Sequence, residues 1–118
     1  MASKWKIALD QGSDFALSIC IKDPQKNPID LAGYTARMQA RKCLSASEVA
    51  LELSTDNGLI SIDTDTSTVT LTIPHDTSSA MDATDYVYDL ELTDAYGKVW
   101  RCLQGVLTIS PEVTRDDS

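Results

Sequence analysis

Apolar residues recur at every second position along most of this chain, and that period decides the fold class. A period of two puts alternate side chains on opposite faces of an extended strand; a helix repeats at about 3.6. The runs are Trp5, Ile7 and Leu9; Phe15, Leu17, Ile19 and Ile21; Tyr34, Ala36, Met38 and Ala40; Val49, Leu51 and Leu53; Ile60 and Ile62; Val69, Leu71 and Ile73; and Tyr86, Tyr88, Leu90 and Leu92. Between them stand polar or small residues. From Val99 to Ile109 the alternation is less regular, and Gly105 in its middle predicts a bulge or a switch between strands.

Turn residues separate the runs. Gln11-Gly12-Ser13-Asp14 ends the first, and Asp23-Pro24 through Asn27-Pro28 ends the second. Each proline bars its position from a central ladder, because it has no N–H to donate. Asp56-Asn57-Gly58 predicts a tight turn, since Asn and Gly tolerate positive φ. Asp63 to Thr68 reads as a polar loop, and Asp94-Ala95-Tyr96-Gly97 as a short hairpin connection. Pro74 to Met81 opens on proline and carries Asp76, Thr77 and Ser78, which suits one or two helical turns. Short strands spaced by about ten residues predict an all-β sandwich of about seven to nine strands with at most one short helix. One apolar and one polar face per strand favours a sandwich over a barrel. One domain over residues 1–118 is expected, with 111–118 as a C-terminal tail.

A chain of 118 residues has room for one core, and 42% hydrophobic with 24% charged residues is ordinary for a globular chain. The formal net charge of −8 opposes binding to a phosphate backbone, which needs clustered Lys and Arg. Arg37, Arg41 and Lys42 form a local basic cluster, read as a solvated strand face. The apolar runs are too short to span a membrane. The N-terminus, Met1-Ala2-Ser3-Lys4-Trp5, lacks the apolar stretch of a signal peptide, so use in a cytoplasm, or in an assembly built there, is expected. The three cysteines, Cys20, Cys43 and Cys102, have no metal-ligand or redox-motif spacing. Cys20 and Cys102 fall in apolar strand patterns and are expected to be reduced core thiols.

No catalytic signature emerges. The single histidine, His75, stands between Pro74 and Asp76 with no nucleophile elbow in the chain, and reads as a surface residue in a loop or at a helix start. Asp63 and Asp65, with Asp82, Asp85 and Asp94, invite a calcium hypothesis. Asp63-Thr64-Asp65-Thr66 lacks the glycine and terminal glutamate of a calcium loop, so a solvated hairpin loop is the preferred reading. The aromatics do not alternate with Lys or Arg, as a stacking platform for single strands would require. Trp5 and Trp100 are the aromatics best suited to protein contacts, with core packing the stronger reading for each. No cofactor, no metal and no enzymatic activity are expected.

Several segments together resemble a family. They are Asp10-Gln11-Gly12-Ser13-Asp14-Phe15, then Pro28-Ile29-Asp30-Leu31-Ala32-Gly33-Tyr34-Thr35-Ala36-Arg37-Met38-Gln39, then Tyr88-Asp89-Leu90-Glu91-Leu92, Gly97-Lys98-Val99, Gly105, and Ser110-Pro111-Glu112-Val113-Thr114-Arg115. Their order and spacing, from about Trp5 to Arg115, resemble small structural proteins of tailed bacteriophages and prophages. More distantly, the chain is similar to the immunoglobulin-like N-terminal domain of phage upper-baseplate proteins. The resemblance implies an Ig-like antiparallel sandwich located in the virion, assembled in the host cytoplasm, with no catalytic residues to carry over. Baseplate proteins of that kind continue into further domains, whereas this sequence stops after the sandwich, which implies a standalone adaptor or decoration role. Val113, Thr114 and Arg115 then read either as a contact element or as the end of the last strand. The implied partners are other phage structural proteins in the tail or baseplate, with self-association open, and neither nucleic acid nor membrane. A capsid decoration or cement protein is the nearest alternative. A glycan-binding or calcium-dependent adhesive module is the alternative of another class.

Overall fold

Alternation builds two sheets that close on each other in the computed structural model, which describes residues 3–111. In chain order the elements are β1 (Ser3–Lys4), β2 (Ile7–Asp10), β3 (Phe15–Cys20), β4 (Thr35–Arg41), β5 (Leu51–Ser54), β6 (Ile60–Asp63), β7 (Thr68–Ile73), α1 (His75–Ser79), β8 (Asp85–Thr93) and β9 (Val99–Ser110). The larger sheet has the order β1-β9-β8-β4-β5, with β2 also on β9. The smaller has the order β3-β7-β6. The all-β sandwich with one short helix is therefore what the chain forms.

The strand order is that of an immunoglobulin sandwich. β3, β7 and β6 form one layer, and β4, β8 and β9 the other, extended by β5. A second hallmark is Tyr86, near the start of β8. Its hydroxyl donates to the Asp82 carbonyl at 2.7 Å, four residues upstream, as a tyrosine corner does. Tyr88, two residues on, stands where antibody domains carry the second cysteine of their inter-sheet disulfide. It is buried, as are Leu90 and Leu92 beyond it. Cys20, Cys43 and Cys102 are all free.

The inner faces supply the core. Ala36, Met38 and Ala40 of β4 lie opposite Leu92, Leu90 and Tyr88 of β8. Val69, Leu71 and Ile73 of β7 close the core from the other sheet, each at most 1% exposed. Burying a Leu or Ile side chain contributes about 1.5–3 kcal/mol. This apolar interior is the main stabilising term.

Three expectations need correction. The sandwich is not antiparallel throughout: β1 and β2 run parallel to β9, with Ser3 opposite Leu103 and Ile7 opposite Leu107. The bulge in the last strand lies at Cys102, not Gly105. Leu90 pairs with Leu103 and Glu91 with Arg101, so Cys102 is the extra residue. That residue flips the parity, which is why Trp100, Leu103 and Leu107 all turn toward the core despite their uneven spacing. Gly105 instead makes room for another segment, since a Cβ there would overlap the Trp5 carbonyl, which crosses β9 at that point. Lastly, Cys20 is exposed rather than in the core, because it shares the outward face of β3 with Ala16 and Ser18.

The connections follow their turn chemistry. Gly97, at φ 85°, closes the β8–β9 hairpin, where its N–H donates to Asp94 O at 3.0 Å. Asp56-Asn57-Gly58 makes a tight turn, but one that carries the chain from β5 in one sheet to β6 in the other. Asn57 holds it: its Oδ1 accepts from Ser54 N and Leu59 N, both at 3.0 Å. The α1 turn has no side-chain cap on Pro74. Its buried Ser78 instead ties the helix to the β2–β3 turn, accepting from Gly12 N at 3.0 Å and reaching Ser13 O at 3.1 Å.

Candidate functional site

The two outer faces have opposite chemistry. On the larger sheet, charge is largely paired within the face. Arg37 meets Glu52 at 3.4 Å, and Arg101 meets Asp89 at 3.4 Å. Gln39 donates to Glu52 at 3.1 Å and accepts from Arg41 at 3.0 Å, while Arg41 also donates to the carbonyls of Ala46 and Ser47. Lys42 pairs with Asp82 at 2.7 Å. Neighbouring Gln39 and Arg37 hold the Glu52 carboxyl below its ordinary range. The basic cluster is thus a set of solvated cross-strand partners. Such exposed pairs are screened by solvent and act more as register marks than as stabilisers.

An apolar patch interrupts this charged face. Trp5 is 44% exposed and Leu44 90% exposed, and with Val87 and the exposed Val106 they line one open depression rimmed by Lys4, Lys6, Asp85 and Gln104. Trp5 shares the parity of Ile7 and Leu9 but not their fate. The chain leaves β9 between β1 and β2, and Trp5 sits in that break. Its N–H donates to Gln104 O at 3.0 Å, and its carbonyl accepts from the Tyr88 hydroxyl at 2.6 Å. The main chain of Trp5 is fixed, and its indole is left at the surface. A rigidly held, exposed tryptophan beside an exposed leucine is the composition of an interface anchor.

Trp100 behaves otherwise. It pairs with Leu92 and packs, half-buried, against the core. The structure does not bring the two tryptophans into one site. Val113, Thr114 and Arg115 lie outside the described residues.

The outer face of the smaller sheet carries small and hydroxyl side chains. Ser18 lies opposite Thr70, which lies opposite Ser61, and the Ser18 and Thr70 hydroxyls are 2.9 Å apart.

The acidic loops are occupied by their own backbone. Asp63 Oδ1 accepts from Asp65 N and Thr66 N, and Asp94 Oδ1 from Tyr96 N and Lys98 N at 2.9 Å. Asp85 accepts from the Thr108 hydroxyl at 2.7 Å. Among the described residues, no three His, Cys, Asp or Glu side chains stand close enough to hold a metal ion. His75 Nδ1 lies 2.9 Å from Asp14 Oδ1, which also accepts from His75 N at 2.7 Å. The carboxylate raises the imidazole pKa, and the His75 N–H with the imidazole lowers that of the carboxyl. Among the described residues, the hydroxyl of nearby Ser78 bonds main-chain groups: Gly12 N, and the carbonyls of Ser13 and His75. Among the described residues, no helix is long and apolar enough to cross a membrane.

No protein-family model and no curated protein matches the chain. Sequence reasoning missed Leu44 as a surface residue of interest. Its signal was present: an isolated leucine between Cys43 and a Ser-rich stretch has no alternating partner to place it in a strand.

Proposed function

We propose that this protein is a structural component of a tailed bacteriophage virion, an Ig-like adaptor that docks onto tail or baseplate proteins and catalyses nothing. The observation that carries the reading is the Trp5–Leu44–Val106 patch, with the Trp5 main chain held in place, beside a face whose charges are largely paired. The whole-chain resemblance to phage structural proteins supports the setting. The mechanism is passive. Burial of Trp5 and Leu44 against a partner supplies affinity, and the Lys4, Lys6 and Asp85 rim sets orientation. Symmetric repetition in a particle multiplies weak contacts.

The test uses the purified full chain as bait against dissociated particles of the phage or induced prophage that encodes it. Expected is retention of one tail or baseplate protein, lost on Trp5→Ala with Leu44→Ala while the melting temperature holds. Absence of the chain from a density map of the intact particle overturns the proposal. Its appearance on the capsid lattice replaces the tail assignment by a decoration role.

A further inference from the structure

Among the described residues β3 has a free edge, and it is built differently from the other edges of the two sheets. β5 is four residues long and carries Glu52. β6 is four residues long and ends on Asp63. β2 is four residues long, follows Lys6 and ends on Asp10. Charges and short length are the usual protection against edge-to-edge pairing. β3, Phe15-Ala16-Leu17-Ser18-Ile19-Cys20, has six residues with no charge, no proline and no glycine. It pairs with β7 in unbroken register, Phe15 opposite Ile73 through Cys20 opposite Thr68.

Ladder alternation fixes which groups point outward. Ile21 N–H donates to Ser67 O, on the β7 side, at 2.8 Å. The odd residues of β3 therefore bond toward β7, and the N–H and C=O groups of Ala16, Ser18 and Cys20 face the open edge. The apolar rim is uncovered as well. Phe15 and Leu17 are only half-buried, while Ile73 and Leu71 opposite them are 1% exposed.

We infer that β3 is the interface for a second copy of this chain, joined antiparallel about a two-fold axis through Ser18. That register sets Ser18 against Ser18 of the partner subunit and Ala16 against Cys20 of the partner subunit. The three outward-facing residues of each copy then share about six main-chain hydrogen bonds. Inward, Leu17 meets Ile19 of the partner subunit, and Phe15 reaches Ile21 of the partner subunit, so the half-buried rims complete each other. At the ends, Asp14 approaches Lys22 of the partner subunit, an opposite-charge match. Because the contact is two-fold and the other edges are short and charged, the assembly closes at two copies. The product is a continuous six-stranded sheet with a largely uncharged outer face. The pairing holds whether or not the protein works in a virion.

Sedimentation equilibrium of the full chain tests it, at about 10–500 µM protein and about 0.15 M salt. Expected is twice the 12.9 kDa chain mass. Ser18→Lys sets like charges face to face on the axis and returns the mass to that of one chain with unchanged circular dichroism. Independently, Ser18→Cys with Cys20→Ser and Cys43→Ser gives a disulfide-linked dimer on mild oxidation, since paired positions in this register lie within disulfide reach. A monomer across the whole range, a dimer that survives Ser18→Lys, or no 18–18 cross-link overturns the assignment. Should Ser18→Lys fail to fold, the cross-link decides.

Discussion

The Tyr88 hydroxyl donates a 2.6 Å hydrogen bond to the main-chain carbonyl of Trp5, 83 residues away in sequence. Gly105 makes this possible. It lies directly opposite Tyr88 on β9, and its missing side chain leaves room for the Trp5 carbonyl. Burial pushes the Tyr88 pKa up to about 12, so the phenol stays a donor across the physiological range.

Tyr88→Phe is expected to destabilise the protein by about 1–3 kcal/mol, because the Trp5 carbonyl loses its donor. Gly105→Ala costs more, since the added Cβ forces β1 off β9. The two changes are non-additive: once Trp5 has been displaced, removing the Tyr88 hydroxyl costs little. Urea denaturation of the four chains of that cycle measures it.

Tyr86→Phe removes the tyrosine corner. The expected loss is about 0.5–1.5 kcal/mol, with the spectroscopic signature of the strands intact. Greater amide exchange at Ile109, whose N–H donates to Thr84 O in the segment the corner braces, localises the effect.

His75 and Asp14 tie α1 to the start of β3 in a pH-dependent way. The raised His75 pKa means that its contribution is fully present below the ordinary value of 6.5 and is lost as pH rises through the folded value. The lowered Asp14 pKa means that its contribution is present above 3.8 and is lost as pH falls through the folded value. The ion pair is strongest between those limits. Proton NMR titration of His75 should give a midpoint above 6.5 that drops on Asp14→Asn. An unchanged midpoint would rule the pair out.

The cysteines should react in sequence. Cys43 is exposed, and the Ser45 hydroxyl lowers its pKa by bonding the thiolate. Burial pushes Cys102 up to about 11. Thiolate is the reactive form, so at neutral pH a disulfide reagent labels Cys43 ahead of Cys102. Mass spectrometry of partly labelled protein reads the order, and Ser45→Ala slows the first step.

Alternation was enough to locate β3, β4, β7 and β8, because each has one face in the core and no interruption. It failed where geometry broke the count. The extra residue at Cys102 shifts the inward set of β9 by one, and the row of apolar positions shows this only as irregularity. Strand direction leaves no mark in a period of two, so the parallel pairing of β1 and β2 with β9 was invisible. Trp5 looked like the first member of an inward series. Its exposure follows from a break opposite Gly105, a residue about 100 positions away. The Tyr86 corner went unread, because a hydroxyl that bonds back to the Asp82 main-chain carbonyl demands no particular residue type at position 82.

Parallel pairing of the first and last strands has a mechanical consequence. Ser3 lies beside Leu103 and Asp10 beside Ser110, so the described chain enters alongside the interior of β9 and leaves from its C-terminal end. Tension applied across those two points pulls β2 and β9 lengthwise past each other. Their rungs then carry the load together in shear instead of unzipping one by one, a geometry suited to a part that must transmit force without opening.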